Sequence, residues 1–338
     1  MATDEREIVE RVTLATPDGT LCPEAVGWSR QPLHDAALPG PRGRRKRWDY
    51  WCVQSEEGAL QITCADLDWV GLVEVAYVEL ASGRVARASA VVPLSLGLRL
   101  PDALGAADVR FRAPHLSVAI REEARGTRLT ARARTLAGPI EADVLVHRPP
   151  GEESLNVVVP WSERRYQLTS KHVARPAEGS VRALGRARRI DPERDGFGCL
   201  DFGRGVWPRD VTWNWGAAAA RVEGARVGLQ LGGQWTDGTG ATENGVLLDG
   251  RLEKIGAPLV WRYDRRDFTR PWSVRDEAGD VALTFTPIVL RRSRVELGLA
   301  RSLLHWGLGR WRGTVRAHGR TLSIDGALGW AEEHVARW

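Results

Sequence analysis

The chain has 338 residues, a formal net charge of +5 and a pI near 9.3, and its length is enough for two domains with sizeable cores. Its basic residues alternate with Asp and Glu along the chain, whereas a nucleic-acid surface needs clustered positive charge. Since no apolar stretch approaches the roughly 18 residues of a membrane-spanning helix either, we predict a cytoplasmic protein that contacts neither nucleic acid nor the membrane interior; composition leaves its oligomeric state open.

The first distinctive segment is the basic run at residues 42–47 (RGRRKR), which leads directly into Trp48. We interpret this run as a solvated loop before a strand. The alternative is a contact with phosphate or with lipid headgroups at a membrane surface.

Many short segments alternate apolar with polar residues and end in turn residues, which is typical of antiparallel strands. Ser82-Gly83, Asp249-Gly250 and His318-Gly319 predict tight hairpin turns with positive φ. Residues 5–12 and 329–338 are predicted to form a turn or two of helix. The sequence therefore predicts an all-β fold with few short helices. The predicted strands are 70–80, 89–96, 116–121, 127–133, 227–231, 245–248, 281–286 and 313–317.

Residues 174–194 are rich in Arg, Pro, Gly and acidic residues without steady periodicity, which is typical of a connection between domains. We predict an N-terminal β domain at residues 1–185 and a C-terminal, Trp-rich β-barrel domain at residues 186–338. Most of the 15 Trp residues follow this stretch. We therefore expect more of any binding pocket to lie in the second half.

Two runs, 201–216 and 232–244, place Trp and polar side chains between glycines. Trp rings line pockets, glycine lets a neighbour approach the backbone closely, and amide or charged side chains form hydrogen bonds. We interpret the runs as the wall of a buried, aromatic-lined pocket. The candidate binding residues in them are Arg204, Trp207, Trp213, Asn214, Trp215, Trp235, Thr239 and Asn244.

Asp237 and Glu243 are the candidate catalytic carboxylates of this pocket. A carboxylic acid buried beside aromatic rings stays neutral near pH ~7 and can act as a proton donor. The competing interpretation of Asp237 is that it and Thr239 hydrogen-bond a tight turn.

Asn214 lies between Trp213 and Trp215, so in an extended strand it faces away from both. If the Trp pair lines the pocket, Asn214 is structural. If Asn214 lines the pocket, it is a hydrogen-bond donor to the substrate and the two Trp residues belong to the packing layer.

Two other polar residues have competing interpretations. In the first interpretation, Arg204 binds a carboxylate or phosphate of the substrate with two hydrogen bonds. His172, which follows Lys171, lies at the substrate and acts as a base or a proton relay. An ordinary core or surface histidine is the alternative for His172. The alternative for Arg204 is an ion pair with one of three carboxylates: Asp201, Asp210 or Glu243.

Motifs of other enzyme classes are absent from the sequence. It has no G-x-S-x-G elbow, P-loop, H-E-x-x-H motif or dinucleotide fingerprint. The four cysteines have no C-x-x-C spacing, and the scattered histidines offer no three-ligand set. We predict neither a metal site nor a redox site.

The chain closely resembles the bacterial family designated domain of unknown function 2804, over nearly its whole length. Membership of this family implies no activity. Besides the two Gly- and Trp-rich runs, the resemblance lies in residues 27–34 (GWSRQPLH), 47–53 (RWDYWCV), 66–72 (DLDWVGL), 153–161 (ESLNVVVPW), 169–172 (TSKH) and 329–333 (GWAEE).

A weaker resemblance links residues 203–215 to the W-G-x-x-F-P-x-x-W-x-W pattern of tocopherol cyclases, and in style to carotenoid 1,2-hydratases and lipocalin-like families with two β-barrels. Pro208 and the paired Trp213 and Trp215 match, but Trp207 stands where Phe is usual and Arg204 replaces the Trp of a Trp-Gly pair. The resemblance implies two lipocalin-like antiparallel β-barrel or sandwich domains. It also implies proton-initiated chemistry on an isoprenoid or polyene, without a cofactor.

These observations support three functional hypotheses. The first is a cofactor-independent lyase or isomerase, of hydratase or cyclase type, which acts by acid catalysis on a hydrophobic unsaturated molecule such as an isoprenoid, polyene or polyketide. The second is a non-catalytic, lipocalin-like carrier or sensor of a lipid or pigment. The third is a carbohydrate-binding β protein, since Trp platforms beside carboxylates also suit sugars. A closed apolar pocket favours the first two, and an open groove favours the third.

Overall fold

In the computed structural model, residues 5–297 and 300–338 are described, and within them the chain forms 25 strands and two short 3₁₀ helices, Pro23–Ala25 and Pro192–Arg194. The all-β prediction is confirmed. No helix in this described part is long and apolar enough to cross a membrane. The strands are β1 (Val12–Thr13), β2 (Trp28–Ser29), β3 (His34–Asp35), β4 (Arg45–Ser55), β5 (Gly58–Asp66), β6 (Val70–Glu79), β7 (Val85–Pro93), β8 (Val109–Ala113), β9 (Leu116–Glu123), β10 (Gly126–Thr135), β11 (Gly138–His147), β12 (Leu155–Ser162), β13 (Arg165–Ala183), β14 (Arg186–Ile190), β15 (Phe197–Val206), β16 (Asp210–Val222), β17 (Ala225–Gly233), β18 (Asn244–Leu248), β19 (Arg251–Ile255), β20 (Val260–Arg262), β21 (Trp272–Arg275), β22 (Val281–Leu297), β23 (Ala300–Ala317), β24 (Arg320–Ser323) and β25 (Ala327–Arg337).

The first large sheet is antiparallel and has the order β7-β6-β5-β4-β15-β13-β11-β10-β9-β8, with β12 and β14 paired to β13 and β2 paired to β12. Its two ends approach each other, because β7 packs against β9 and β10, and the sheet forms a nearly closed barrel. Alternate residues of each strand point inwards, so apolar side chains such as Leu60, Ile62 and Leu129 fill the barrel.

The second large sheet has the order β19-β18-β17-β16-β25-β23-β22-β21-β20, with β24 paired to β23, and forms a half-barrel. Trp272, Phe285 and Trp311 are fully buried on its concave side. The other side of β16 and β25 faces the first sheet, where β13 lies against β16 and β17. The two sheets therefore share an aromatic interface.

Two of the three predicted tight turns are confirmed; in the third, between β6 and β7, Gly83 has a φ of 69° but Ser82 does not have positive φ. Asp249 and Gly250 connect β18 to β19 with φ values of 49° and 82°, and His318 and Gly319 connect β23 to β24 with φ values of 50° and 70°. Positive φ at both central residues matches the right-handed twist of the flanking strands. These turns fix the register of their hairpins.

The predicted helical turns are wrong. Residues 5–12 are extended, and residues 329–337 belong to β25 at the centre of the second sheet. Residues 174–194, which resemble a linker, lie mostly in β13 and β14. Their outward-facing Arg side chains hide the strand periodicity. The chain passes from the first sheet to the second between Val206 and Asp210, after the predicted boundary at 185/186, and the division into domains itself stays a prediction.

Gly203 shows why the run 201–216 is rich in glycine. It lies directly opposite Trp48 in the β15–β4 ladder, and a Cβ atom at Gly203 would come within 2.1 Å of Trp48 Cε2. The indole ring thus occupies the space of a missing side chain.

We expect Gly203→Ala to lower the free energy of unfolding by about 1–3 kcal/mol, because the added methyl group displaces a packed ring. Urea unfolding measures the change. Adding Trp48→Leu to Gly203→Ala should restore part of the loss, since leucine leaves room for the methyl group. Equal stability of wild type and Gly203→Ala would contradict this close packing.

Candidate functional site

Trp207 lies at the centre of a group of indole rings where the two sheets meet. Its ring is only 4% exposed. Most contacts are edge-to-face, a geometry that contributes about 0.5–1.5 kcal/mol per pair. We call this group the Trp207 cluster; the ring-centroid distances from Trp207 are 5.4 Å to Trp48, 5.4 Å to Trp161, 5.5 Å to Trp213, 6.0 Å to Trp235 and 6.2 Å to Trp338.

The connection between the sheets positions Trp207. β15 ends at Val206 and β16 begins at Asp210, so Trp207 stands where the chain passes from one sheet to the other. Its backbone N–H donates to Arg44 O at 3.0 Å, and its indole N–H donates to Gln167 Oε1 at 2.5 Å. Both N–H groups of Trp207 therefore have acceptors, one in β13 and one directly before β4.

Glu243 lies beneath the cluster and is 2% exposed. Trp235 Nε1 donates to Glu243 Oε1 at 2.5 Å, while Oε2 lies 3.5 Å from Lys171 Nζ and forms no hydrogen bond with any described residue. Burial raises the pKa of Glu243 to about 7, although the Lys171 charge opposes the shift. Glu243 is therefore a carboxyl group that exchanges a proton near neutral pH.

Glu332 is a second buried acid of the same site, 7% exposed. It lies on β25 directly opposite Trp215, and Trp213 Nε1 donates to its Oε1 at 2.8 Å. Burial raises the pKa of Glu332 to about 7, against the effect of the Trp213 hydrogen bond. Two indoles of the Trp207 cluster thus each hold one acid.

Lys171 supplies a fixed positive charge between these groups. Its Nζ lies 2.9 Å from Asp201 Oδ2 and 4.1 Å from the centroid of the Trp215 ring. Burial opposes the ammonium charge, but Asp201 and Glu243 outweigh burial and raise the pKa of Lys171. Thr169 Oγ1 donates to Asp201 at 3.0 Å, which fixes this partner. Lys171 stays charged, and Asp201 is its closer counterion.

Carboxylates bind cations, and the cation that the carboxylates of this site contact is the ammonium group of Lys171. Among the described residues, no group of three or more His, Cys, Asp and Glu side chains is placed to hold a metal ion. The four cysteines of the sequence are free thiols. The polar groups that the structure places in the site are carboxyl groups, the ammonium group of Lys171 and the indole N–H groups of Trp213 and Trp235.

Gly232 explains the second glycine-rich run. A Cβ atom at this position would come within 2.1 Å of Glu243 Cγ, so the Glu243 side chain packs directly on the Gly232 backbone. Gly232 is fixed in turn, because its N–H donates to Asn244 Oδ1 at 2.7 Å. The run 232–244 is thus a scaffold for one acid.

The structure brings together Glu243 with the four predicted aromatic residues, Trp207, Trp213, Trp215 and Trp235. Glu332 joins them and is not among the predicted site residues. The alternation of Trp330, Glu332 and His334 on one face of β25 is the signal that sequence reasoning missed.

Arg204 lies away from the cluster, inside the first sheet, and is fully buried. Its Nη2 pairs with Asp49 Oδ1 at 2.8 Å, and it also donates to the carbonyl oxygens of Pro101 and Trp48. Arg204 forms an ion pair, as the second interpretation expects, but its partner is none of the three carboxylates proposed from the sequence. The partner is Asp49, because β15 pairs with β4, which carries this residue.

Asn214 faces away from the cluster, as the strand alternation requires once Trp213 and Trp215 face it. Its Nδ2 donates to Tyr263 Oη and to Glu332 O, both at 3.1 Å, and its Oδ1 accepts from Gln234 Nε2 at 2.6 Å. These bonds connect β16 to the neighbouring loop, which is a structural arrangement.

Asp237 and Thr239 belong to the loop beside the acid, and Asn244 is the first residue of β18, which follows this loop. Asp237 and Asn244 line a cavity of about 290 Å³ between this loop and residues 258–259, and Asp237 is exposed. Thr239 Oγ1 donates to Thr236 O at 2.7 Å and braces the loop. Asn244 Nδ2 donates to Ala257 O at 3.1 Å and joins the two sides of the cavity.

His172 is adjacent to Lys171 on β13, so the two side chains point to opposite faces of the first sheet. His172 is 1% exposed and its Nε2 lies 2.9 Å from Ser170 Oγ. The structure therefore separates His172 from Glu243.

The raised pKa of Glu243 predicts that the free energy of unfolding depends on pH. Because the folded state holds the Glu243 proton up to a pH of about 7, whereas an unfolded carboxyl group releases it near 4.5, the free energy of unfolding falls as pH rises through this interval. We expect Glu243→Gln to be increasingly more stable than wild type from about pH 5 to pH 8, by up to about 3 kcal/mol. Urea unfolding at each pH measures the difference, with Glu10→Gln, which changes an exposed carboxylate far from the site in sequence, as the control. A difference independent of pH would mean that Glu243 is ionised throughout.

Known sequences and solved structures show which proteins this chain resembles. No curated protein has a matching sequence. Solved structures with a similar fold include NE1406 from Nitrosomonas europaea (TM-score 0.49, 13% identity, 86% of this chain and 92% of that chain covered) and kievitone hydratase from Nectria haematococca (0.48, 10%, 86% and 88%). CghA with Sch210972 is a third (0.40, 11%, 89% and 89%). At these identities and TM-scores the likeness carries no information on the activity of this chain.

A sequence comparison gives the family. The model described as Domain of unknown function (DUF2804) matches residues 5–338, which is nearly the whole chain and includes both glycine-rich runs. Its description names no activity. The match confirms the family resemblance of the sequence motifs, and the chain belongs to the DUF2804 family.

Proposed function

We propose that this protein is a cofactor-independent lyase or isomerase, of hydratase or cyclase type, in which Glu243 protonates a hydrophobic unsaturated molecule. The observation that carries the proposal is a buried carboxyl group with a pKa of about 7, held by an indole N–H of the Trp207 cluster. Isoprenoids, polyenes and polyketide-like molecules are substrates of this class.

The first chemical step is proton transfer from Glu243 to carbon. Oε2 carries the proton, since Oε1 already accepts from Trp235. A C–H bond forms as the π bond of the substrate breaks, which leaves a carbocation on the neighbouring carbon and a carboxylate on Glu243. The nearby ammonium group of Lys171 stabilises that carboxylate, and the faces of Trp207 and Trp213 stabilise the carbocation.

The second step removes the cation. In a hydratase, water adds to the carbocation and its extra proton passes to a carboxylate. In an isomerase, a C–H bond beside the carbocation breaks to form a new C=C bond, and its proton returns to the carboxylate. In a cyclase, a second π bond first attacks the carbocation to form a C–C bond and a new carbocation, which then loses a proton to the carboxylate in the same way. Glu243, which the first step leaves as a carboxylate, accepts this proton and returns to its acid form, so the proton count balances.

The substrate would enter through the outer rings of the cluster. Trp48, Trp161 and Trp338 are partly exposed, and each contacts the buried Trp207. In this proposal a flat apolar molecule displaces the outer rings and forms contacts with Trp207 in their place. The apolar surface of the molecule is thereby removed from water, while the two sheets keep their positions. This route ends at the Trp235 ring that holds Glu243.

Two alternatives use the same rings. A lipid or pigment carrier needs no acid, and so gives no reason for a buried carboxyl group beside the rings. A carbohydrate-binding protein presents ring faces on an open platform, whereas Trp207 and Trp235 are 4% and 7% exposed and stack on each other with an interplanar angle of 12°. These observations favour the acid-catalysed reaction.

Deuterium transfer from solvent tests the proposal whatever the product of the reaction is. We expect the protein in D₂O to place deuterium on carbon in at least one member of a panel of geranylgeraniol, squalene and β-carotene, as measured by mass spectrometry. Glu243→Gln should lower this rate by about 100-fold or more, because the amide has no acidic proton. Binding of the same molecule, measured by quenching of Trp fluorescence, should stay within about tenfold of wild type.

Asp237→Asn is the matched control for this experiment. It removes an exposed carboxylate six positions before Glu243 in the same loop, and should leave deuterium incorporation unchanged. Binding of a panel member without deuterium incorporation would support the carrier instead. Binding of oligosaccharides alone would support the third hypothesis.

The same assay gives a pH dependence. Glu243 must be protonated to act, and its pKa is about 7. We expect the rate of deuterium incorporation to be constant at lower pH and to fall by about tenfold per pH unit well above this pKa. A rate that rises with pH would indicate that an ionised base, and not an acid, starts the reaction.

A further inference from the structure

A β-bulge in β13 places Arg175 on the same face as His172. His172 lies opposite Leu200 of β15 and Arg175 lies opposite Gly198, so three steps on β13 match two steps on β15. The extra residue cancels one alternation, and both side chains therefore point into the barrel of the first sheet. The bulge includes Ala174 with a φ of 55°, an unusual conformation for a residue with a side chain.

Arg175 is a buried guanidinium group without a partner. It is 6% exposed, and it forms neither a hydrogen bond nor an ion pair with any residue that the structure describes; its Nε is fully enclosed. A buried charge of this kind is unfavourable unless an acceptor balances it. Burial accordingly lowers the pKa of Arg175 to about 10.

The carboxylates around Arg175 are already engaged. Both oxygens of Glu152 bind Arg226, at 2.9 and 2.7 Å, and Glu122 is paired with Arg148 at 2.5 Å. These four residues are the charged neighbours whose fields reach Arg175. Three guanidinium groups and two carboxylates leave one uncompensated positive charge, which a monoanion would balance.

Hydrogen bonds fix the tautomer of His172. Asn156 Nδ2 donates to the carbonyl oxygen of Ser29 at 2.9 Å, so Asn156 Oδ1 faces Ser170 and accepts from its hydroxyl group. Since the Ser170 proton is committed there, Ser170 Oγ can only accept from His172, and Nε2 carries the His172 proton. Burial, with the Arg175 charge, lowers the pKa of His172 well below its usual range, so the ring is neutral.

His172 Nδ1 is therefore a bare acceptor. It is buried and has no donor among the described residues. The same face of the barrel thus holds an unused donor on Arg175 and an unused acceptor on His172. A ligand that satisfies both needs a negative oxygen and an O–H group.

We propose that His172 and Arg175 bind a small oxyanion that keeps one O–H group, such as hydrogen phosphate or an α-hydroxycarboxylate. Arg175 donates to the charged oxygens, and the O–H group of the ligand donates to His172 Nδ1. Arg148, whose charge acts on both His172 and Arg175, has a side chain that is 47% exposed, so this group of charges reaches the protein surface. Because the site lies on the opposite face of β13 from Lys171, it is separate from the acid site and does not rest on the proposed function.

Thermal unfolding in a phosphate-free buffer tests the site with three probes: inorganic phosphate, glycolate and acetate. We expect phosphate or glycolate to raise the Tm of the wild type saturably by about 2 °C or more. Arg175→Met should abolish this rise, and without ligand its Tm should equal or exceed that of wild type, because an unpaired buried charge is removed. Arg134→Met, which removes an exposed arginine, is the control that keeps the full rise.

The probes also separate the two ligand sources. A rise with phosphate alone identifies a phosphate site, whereas a rise with glycolate that exceeds the rise with acetate identifies a hydroxycarboxylate site. His172→Leu should reduce the glycolate response to the acetate response, since only glycolate has the O–H group that Nδ1 accepts. Equal rises in wild type and Arg175→Met, or no rise with any probe, would overturn the proposal.

Discussion

The buried charge of Lys171 is the constraint on which the acid site depends. An ammonium group without water must have counterions, and Asp201 at 2.9 Å and Glu243 at 3.5 Å supply them unequally. The closer carboxylate neutralises Lys171, so the energetic need to ionise Glu243 is small. Glu243 is thereby left with a pKa of about 7, and the same charge is in place to stabilise the carboxylate once its proton has left.

The fold supports this arrangement by bringing two sheets together around β13. Lys171 lies on the face of β13 that meets the second sheet, and Glu243 comes from the loop that follows β17. Trp207 stands at the passage between the sheets and packs against rings from both. The other face of β13 has a different polar group, formed by His172 and Arg175. One strand thus serves two separate clusters of buried charge.

Sequence reasoning predicted the local features well. Period-two patterns and the Asp249-Gly250 and His318-Gly319 dipeptides predicted strands and turns, because these depend on neighbouring residues. The glycines beside Trp235 likewise indicated that Glu243 is enclosed. Asp201 and Glu332 were harder to assign, because they reach the site only through the pairing of β15 with β13 and of β25 with β16.

Other failures have the same physical origin. Arg204 lies in the predicted run, yet its partner Asp49 is distant in sequence and is brought beside it by the β4–β15 ladder. The Arg-rich residues 174–194 look like a linker because exposed charged residues such as Arg182 and Arg189 alternate with apolar residues such as Val181, and because two further arginines, Arg175 and Arg188, are themselves buried. The polarity of the side chains in a segment indicates whether they are exposed to solvent. It indicates only indirectly whether the segment is a strand and with which other strand it pairs.

The acid site requires Glu243 and Glu332 to hold protons near neutral pH. Difference infrared spectroscopy of the wild type, Glu243→Gln and Glu332→Gln measures this directly, since a protonated carboxyl group has a C=O stretch that a carboxylate lacks. We expect two such bands that disappear as the pH rises through about 7, each of them missing from one variant. If both groups already lack this band near pH ~5, they are ordinary carboxylates, and the acid site does not exist as described.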